Sequence, residues 1–139
     1  MKTRTLRVAN LFAALFISLA VLSCDREAKP KSEMAIETGP ASFMKLGGAI
    51  SSFVVFFEDL GDNPIEEYGI VYTFDDDVKD NYPDLADSKV VFELPAKQYS
   101  NEKVVNIGFP STAHWIGYRA YAKLKGGEIK YAEPMILNF

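Results

Sequence analysis

One cysteine and one histidine are all that 139 residues supply of the two side chains most often used to build sites. A disulfide framework needs pairs, so the lone Cys24 excludes one. His114 by itself cannot make a histidine-rich metal centre, and no zinc-ligand spacing is present. The chain also lacks a P-loop, a Gly-x-Gly-x-x-Gly turn and a Gly-x-Ser-x-Gly elbow, the short signatures of phosphate, dinucleotide and acyl-transfer chemistry. Fifteen Lys and Arg against 19 Asp and Glu leave a net charge of −4, the wrong sign for a nucleic-acid partner. Nothing after the first 23 residues keeps a 3.6-residue apolar period over three turns, so a helical bundle or coiled coil is excluded. What is present, 48% hydrophobic and 24% charged residues, is the balance of an ordinary globular domain.

The first 23 residues stand apart from that domain. Lys2, Arg4 and Arg7 precede an apolar stretch from Val8 to Leu22, interrupted by Asn10 and Ser18. Those 15 residues fall short of the roughly 20 that a membrane-spanning helix needs, which favours an export signal over a permanent anchor. The stretch closes on Val21, Leu22, Ser23 and Cys24. This run of aliphatic residues, a small residue and a cysteine resembles the lipobox of bacterial lipoproteins. The resemblance implies cleavage before Cys24 and acylation (palmitate or a similar chain) of its sulfur and new amino group. Such chains hold a protein on a membrane at about 0.8 kcal/mol per buried CH₂. The alternative is a plain secretory signal with Cys24 beside it by coincidence.

Removing the signal takes three positive charges with it, leaving 12 basic against 19 acidic residues, a net charge of −7. Residues 24–40 are polar, charged and punctuated by Pro30 and Pro40, and read as the lipid-bearing cysteine and a flexible tether. Residues 41–139 then make one domain, and its pattern is β throughout. Expected strands run over residues 42–50, 53–57, 68–74, 89–94, 103–109, 116–124 and 129–137, the last two joined through Gly126 and Gly127. In the sixth, Ile116, Tyr118, Ala120, Ala122 and Leu124 alternate with Gly117, Arg119, Tyr121 and Lys123, a strand with one buried face. Seven short strands in about 100 residues describe a single β-sandwich of the fibronectin III or immunoglobulin kind.

Two patches carry a family resemblance. Glu67 to Tyr72 (Glu-Tyr-Gly-Ile-Val-Tyr) resembles the third strand of fibronectin type III-like domains of Bacteroidetes surface lipoproteins. Tyr118 to Lys123, the glycine turn, and Tyr131-Ala132-Glu133 resemble their final hairpin. The family's Leu-x-Pro-x-Thr-x-Tyr corner is only approximated by Phe109 to Thr112. Ile116 stands where the corner tyrosine is expected, so its hydroxyl is missing or comes from Tyr118. The resemblance implies a lipid-anchored module on the outer membrane, facing the cell surface or the periplasm.

Candidate sites are few. Eleven acidic residues and one basic lie between Glu58 and Asp87. Asp75, Asp76, Asp77 and Asp80 offer the oxygen ligands that Ca²⁺ prefers, but Lys79 interrupts an EF-hand spacing and its glycine is absent. The simpler reading is a solvated, self-repelling loop. With Ile116 and Tyr118 inward, Trp115, Arg119 and Tyr121 share the outer face, where aromatic rings stack on sugars or anchor protein partners. Val54 and Phe56, outward on the second strand, would extend that patch. Arg119, Lys123, Lys125 and Lys130 against Glu128 make the last hairpin locally basic. Paired carboxylates could serve glycoside hydrolysis, but a sandwich of this size leaves little room for a substrate cleft. The expectation is a non-enzymatic module without cofactor beyond the covalent lipid at Cys24, bound to the membrane and to a glycan or protein. The alternative is a structural or inhibitor-like periplasmic lipoprotein that associates with another envelope protein.

Overall fold

The computed structural model describes residues 30–44, 48–74 and 82–138. Among them the chain is all-β, with eight strands and no helix. β1 (Ala35–Met44), β2 (Ala49–Asp59) and β5 (Tyr99–Gly108) form one antiparallel sheet, with β2 in the middle. The second sheet contains β3 (Ile65–Phe74), β4 (Ser88–Val91), β6 (Trp115–Leu124), β7 (Ile129–Tyr131) and β8 (Met135–Asn138). Its order is β4-β3-β6-β7, and β8 also pairs with β6.

The two-residue period of the sequence builds the core between the sheets. Phe53, Val55 and Phe57 of β2 point inward, as do Tyr68 and Ile70 of β3 and Ile116, Tyr118, Ala120 and Ala122 of β6. These residues form one buried cluster, so the sheets pack face to face in a sandwich-like arrangement. Phe53 meets the ring of Tyr118 at 5.3 Å between centroids, and Phe57 meets Tyr68 edge-on at 5.4 Å. Each such ring is worth about 2–3 kcal/mol when fully buried.

The β6–β7 hairpin closes as expected, with Gly126 and Gly127 at φ 98° and 89°, where a side chain is strongly disfavoured. Leu124 N–H donates to Glu128 C=O at 2.8 Å across the turn. Gly69 has a different reason to be glycine: a Cβ there would lie 2.0 Å from the Val90 carbonyl oxygen, so β4 could not close on β3. Asn101 is the main polar residue of the interior. Its Nδ2 donates to Lys97 C=O (2.7 Å), while its Oδ1 accepts from Lys97 N–H (2.8 Å) and the Tyr68 hydroxyl (3.2 Å). It thereby closes the β4–β5 loop onto the core.

Three sequence expectations change. The first expected strand, 42–50, straddles a turn: Met44 ends β1, Gly48 sits at φ 55°, and Ala49 opens β2. Accordingly, residues 35–40, expected in the tether, belong to β1. The Gly39-Pro40 pair that suggested a linker is a register shift between Thr38 and Ala41, a place where an edge strand tolerates proline. The expected strand 129–137 is two strands parted at Ala132-Glu133-Pro134. There the Thr38 hydroxyl donates to Glu133 C=O (2.6 Å) and accepts from Ala120 N–H (2.9 Å), joining β1 to the other sheet. The Tyr118 hydroxyl makes a second such link, accepting from Ala41 N–H at 3.1 Å. Among the described residues there are eight strands where seven were expected, and β1 opens at Ala35, ahead of the expected start at residue 41.

The domain has two distinct ends. At the base, the incoming segment from Lys31 to Met34 meets the β2–β3 loop, where Asp62 N–H donates to Ser32 C=O and Ser32 N–H to Asp62 Oδ2. Lys130 joins this end through ion pairs with Glu33 and Glu128, and together these carboxylates raise its pKa. At the tip, roughly 30 Å away along the ten residues of β1, Phe43 packs on Phe109, which packs on Phe74.

Candidate functional site

The outer face of the larger sheet is where the sequence placed its candidate residues. Trp115, Gly117, Arg119, Tyr121 and Lys123 project there from β6, flanked by Glu67, Val71 and Thr73 of β3. Trp115, Arg119 and Tyr121 thus share a face as the alternation requires. They do not share a surface. Six residues of strand separate Trp115 from Tyr121 by about 20 Å, and only the Trp115 end is open.

Tyr82 to Asp87, the chain leading into β4, lies across the Arg119–Tyr121 end. Pro83 is fully buried. Arg119 Nε donates to Pro83 C=O at 2.5 Å, and its guanidinium lies 4.0 Å from the Tyr131 ring centroid and 5.7 Å from that of Tyr82. Cation–π contacts of this kind contribute about 1 kcal/mol each at partly exposed sites. Leu85 N–H donates to the Tyr131 hydroxyl at 3.2 Å, so the strap is held from both sides. Asp84 and Asp87 shape the strap itself: Asp84 N–H donates to Asp87 Oδ2 (2.8 Å) and Ala86 N–H to Asp84 Oδ1 (2.7 Å).

Tyr121 is fully buried beneath this cover, where an exposed ring was expected from the sequence. Its hydroxyl donates to Glu67 Oε1 at 2.7 Å, and Lys89 bridges the same oxygen at 3.0 Å. Burial first, then the adjacent carboxylate, push the phenol well above its ordinary range. In return, the hydrogen bonds from Tyr121 and Lys89 hold Glu67 below the usual carboxylate range. Tyr121 and Lys89 thus both bond the same oxygen of Glu67, and the buried Tyr121 ring is closed to a ligand.

Trp115 remains. It is half-buried, at the tip end of β6. Val54 and Phe56 do not extend its patch, because they project from the smaller sheet on the opposite side of the domain. His114 lies exposed just before β6. The basic hairpin is partly spent, since Arg119 holds the strap and Lys130 its two glutamates. Cys24 and the calcium candidates Asp75, Asp76, Asp77 and Asp80 lie outside the described residues. Among the described residues, no three His, Cys, Asp or Glu side chains converge as a metal site would require.

Two hollows border these groups. One, of about 360 Å³ at the base, is lined by Lys31, Glu33, Leu60, Asp62 and Lys130. The other, of about 370 Å³ near the tip, is lined by Tyr72, Thr73, Phe74, Ala86, Asp87 and Ser88. The sequence reading missed the second hollow and the strap alike. The one local sign of the strap was an aromatic–proline pair, Tyr82-Pro83, inside a polar stretch. No family model, curated protein or solved structure matches the chain.

Proposed function

We propose that the chain is a bacterial envelope lipoprotein, acylated on Cys24 after loss of residues 1–23 and held at the outer membrane. Its fibronectin III-like domain acts there as a non-enzymatic binding or adhesion module for a glycan or protein. The Val21 to Cys24 run supports the address. Strand order supports the domain assignment: the fourth strand pairs with the third, whereas in constant immunoglobulin domains it joins the first, second and fifth.

One observation carries the functional reading. The chain joins the domain at its base, where Leu94, Tyr99 and Ile129 are exposed, while toward the opposite end Phe43, Met44 and Ile136 are exposed and Trp115 is half-buried. Exposed apolar side chains on the end away from the anchor are open to a partner.

The address is tested by metabolic labelling with an alkynyl fatty acid. The wild-type chain should take up label and Cys24→Ser should not; an unlabelled wild type overturns the lipoprotein reading. Protease added to intact cells should cleave the domain. Acylation with full protection from protease supports the periplasmic alternative, a structural or inhibitor-like partner of another envelope protein. Capture from native membranes tests the contact surface: whatever the wild type retains should be lost by the double variant Phe43→Ser, Met44→Ser.

A further inference from the structure

We propose that the outer face of the smaller sheet is an interface for a second copy of this chain, which it meets through the outer face of that copy's larger sheet. Successive copies then stack front to back. The contact uses neither Phe43 nor Met44, so it goes beyond the binding-module reading and does not depend on it.

The smaller sheet presents one sign of charge. Glu58 of β2 and Glu102 of β5 are exposed, and among the described residues no side chain pairs with their carboxylates. Both project outward, since Glu102 lies opposite Val54 and Glu58 alternates with the inward Phe57. Lys103 is the one basic residue of β1, β2 and β5. It lies opposite the inward Phe53 and is paired with Glu93, so it does not offset the outward carboxylates. Beside the glutamates stand the half-buried Val54 and Phe56, with Val104 exposed beyond them. An apolar strip rimmed by unpaired carboxylates fits a partner surface that is both apolar and basic.

The larger sheet offers such a surface. On its outer face Lys123 is exposed and makes no ion pair among the described residues, and Lys89, beside Glu67, keeps 43% of its side chain exposed. Exposed apolar neighbours accompany both lysines: Ile129 lies opposite Lys123, and Val91 is two residues on from Lys89. The strap's Asp84 and Asp87 carboxylates accept bonds within the strap itself.

The opposite charges stand at matching levels along the strands. Phe53 meets Tyr118, and Phe57 meets Tyr68, which pairs with Ala122, so β2 from 53 to 57 runs level with β6 from 118 to 122. Glu58 is therefore level with Lys123. Glu102, opposite Val54, is level with Arg119, and so is Lys89, because Arg119 and Lys89 both pair with Val71. Glu102 and Lys89 also share one side of the domain, where Lys103 of β5 reaches Glu93 just beyond β4. Shifting one copy along the sandwich normal without rotation brings Glu58 toward Lys123 and Glu102 toward Lys89. A two-fold contact of the smaller sheet with itself would set glutamates against glutamates, so the contact is heterologous. It does not close, and every base in the row points the same way, as a shared membrane anchor requires.

A mixture of unlabelled and isotope-labelled full chain, solubilised with detergent micelles in excess, tests the stack. A carbodiimide joins a carboxylate to an amine that touches it. Mass spectrometry should then find Glu58–Lys123 and Glu102–Lys89 links between labelled and unlabelled chains, while Glu67–Lys89 and Glu33–Lys130 links stay within one chain. Sedimentation velocity should show species that grow past the dimer with concentration and shrink near 1 M salt, where the screening length is about 3 Å. The double variant Glu58→Lys, Glu102→Lys should keep the wild-type circular dichroism spectrum and associate about tenfold more weakly or less. Its larger sheet is intact, so adding it to the wild type should cap one end and shorten the stacks. Glu58→Gln, Glu102→Gln should fall between the two, which keeps the test decisive if charge reversal disturbs the fold. A wild type that stays monomeric at millimolar concentration, a closed dimer, or undiminished association of the charge-reversed variant overturns the proposal. Capture through Phe43 and Met44 is read separately, so either result can fail while the other stands.

Discussion

The two outer faces of the sandwich start from the same sequence grammar and end differently. On β6 the outward Tyr121 is fully buried; on β2 the outward Phe56 is half-buried, and on β5 the outward Val104 is 78% exposed. Around these residues the strands alternate inward and outward on both sheets. What differs is the strap from Tyr82 to Asp87, which gives the larger sheet a third layer near Arg119, while nothing among the described residues crosses the smaller sheet. The comparison teaches that period-two alternation assigns a side chain to a face and says nothing of whether that face is covered.

Truncating the two outward rings is the strongest way to break this comparison. Tyr121→Ala should cost about 3–5 kcal/mol, as for a fully buried ring, and also strand the Glu67–Lys89 pair. Phe56→Ala should cost far less, about 1 kcal/mol. Urea denaturation midpoints of the two variants check the difference; equal losses would mean that the strap does not act as a layer. Arg119→Met should come next, removing the bond to Pro83 and both ring contacts for about 1–2 kcal/mol. Limited proteolysis should then find new cleavage between Tyr82 and Asp87 in Arg119→Met alone.

The covered face should also have a pH signature that the bare one lacks. Glu67 is held below its ordinary 4.5, so its stabilising bonds are fully present above that value and are lost as pH falls through the lower folded value. Tyr121 is raised above 10.0, so its contribution is present below pH 10 and is lost as pH rises toward the folded value. Glu67→Gln should flatten the acid limb of the melting-temperature profile, and Tyr121→Phe the alkaline limb. The smallest effect is expected from Val104→Thr on the bare face, within about 0.5 kcal/mol by the same denaturation assay.

Much of the fold was legible in the residues. The Gly126-Gly127 hairpin, the inward set Ile116, Tyr118, Ala120 and Ala122, and the strand from Tyr68 to Phe74 stand where local rules put them. The first strand was not legible. Gly39 and Pro40 look like a linker unless the partner strand is known, because a bulge is defined by what lies opposite. The break in the last strand was hidden for a similar reason: the Thr38 hydroxyl that takes up Ala120 N–H comes from 82 residues away. Of the candidate trio, Arg119 and Tyr121 were placed on the right face but in the wrong surroundings, and Trp115 gained its setting from a glycine two residues on.

The sequence alone determined the all-β character, the identity of the inward residues and the hairpin, since each depends on neighbours within a few positions. The run from Val21 to Cys24, on which the proposed lipid anchor rests, is likewise a local motif. Only the tertiary structure decided that Tyr121 is buried, that Arg119 is occupied, and that Trp115 stays half-buried at the tip end of β6. Those facts depend on contacts between residues far apart in the chain, and local periodicity holds no information about which distant segment will cover a given face.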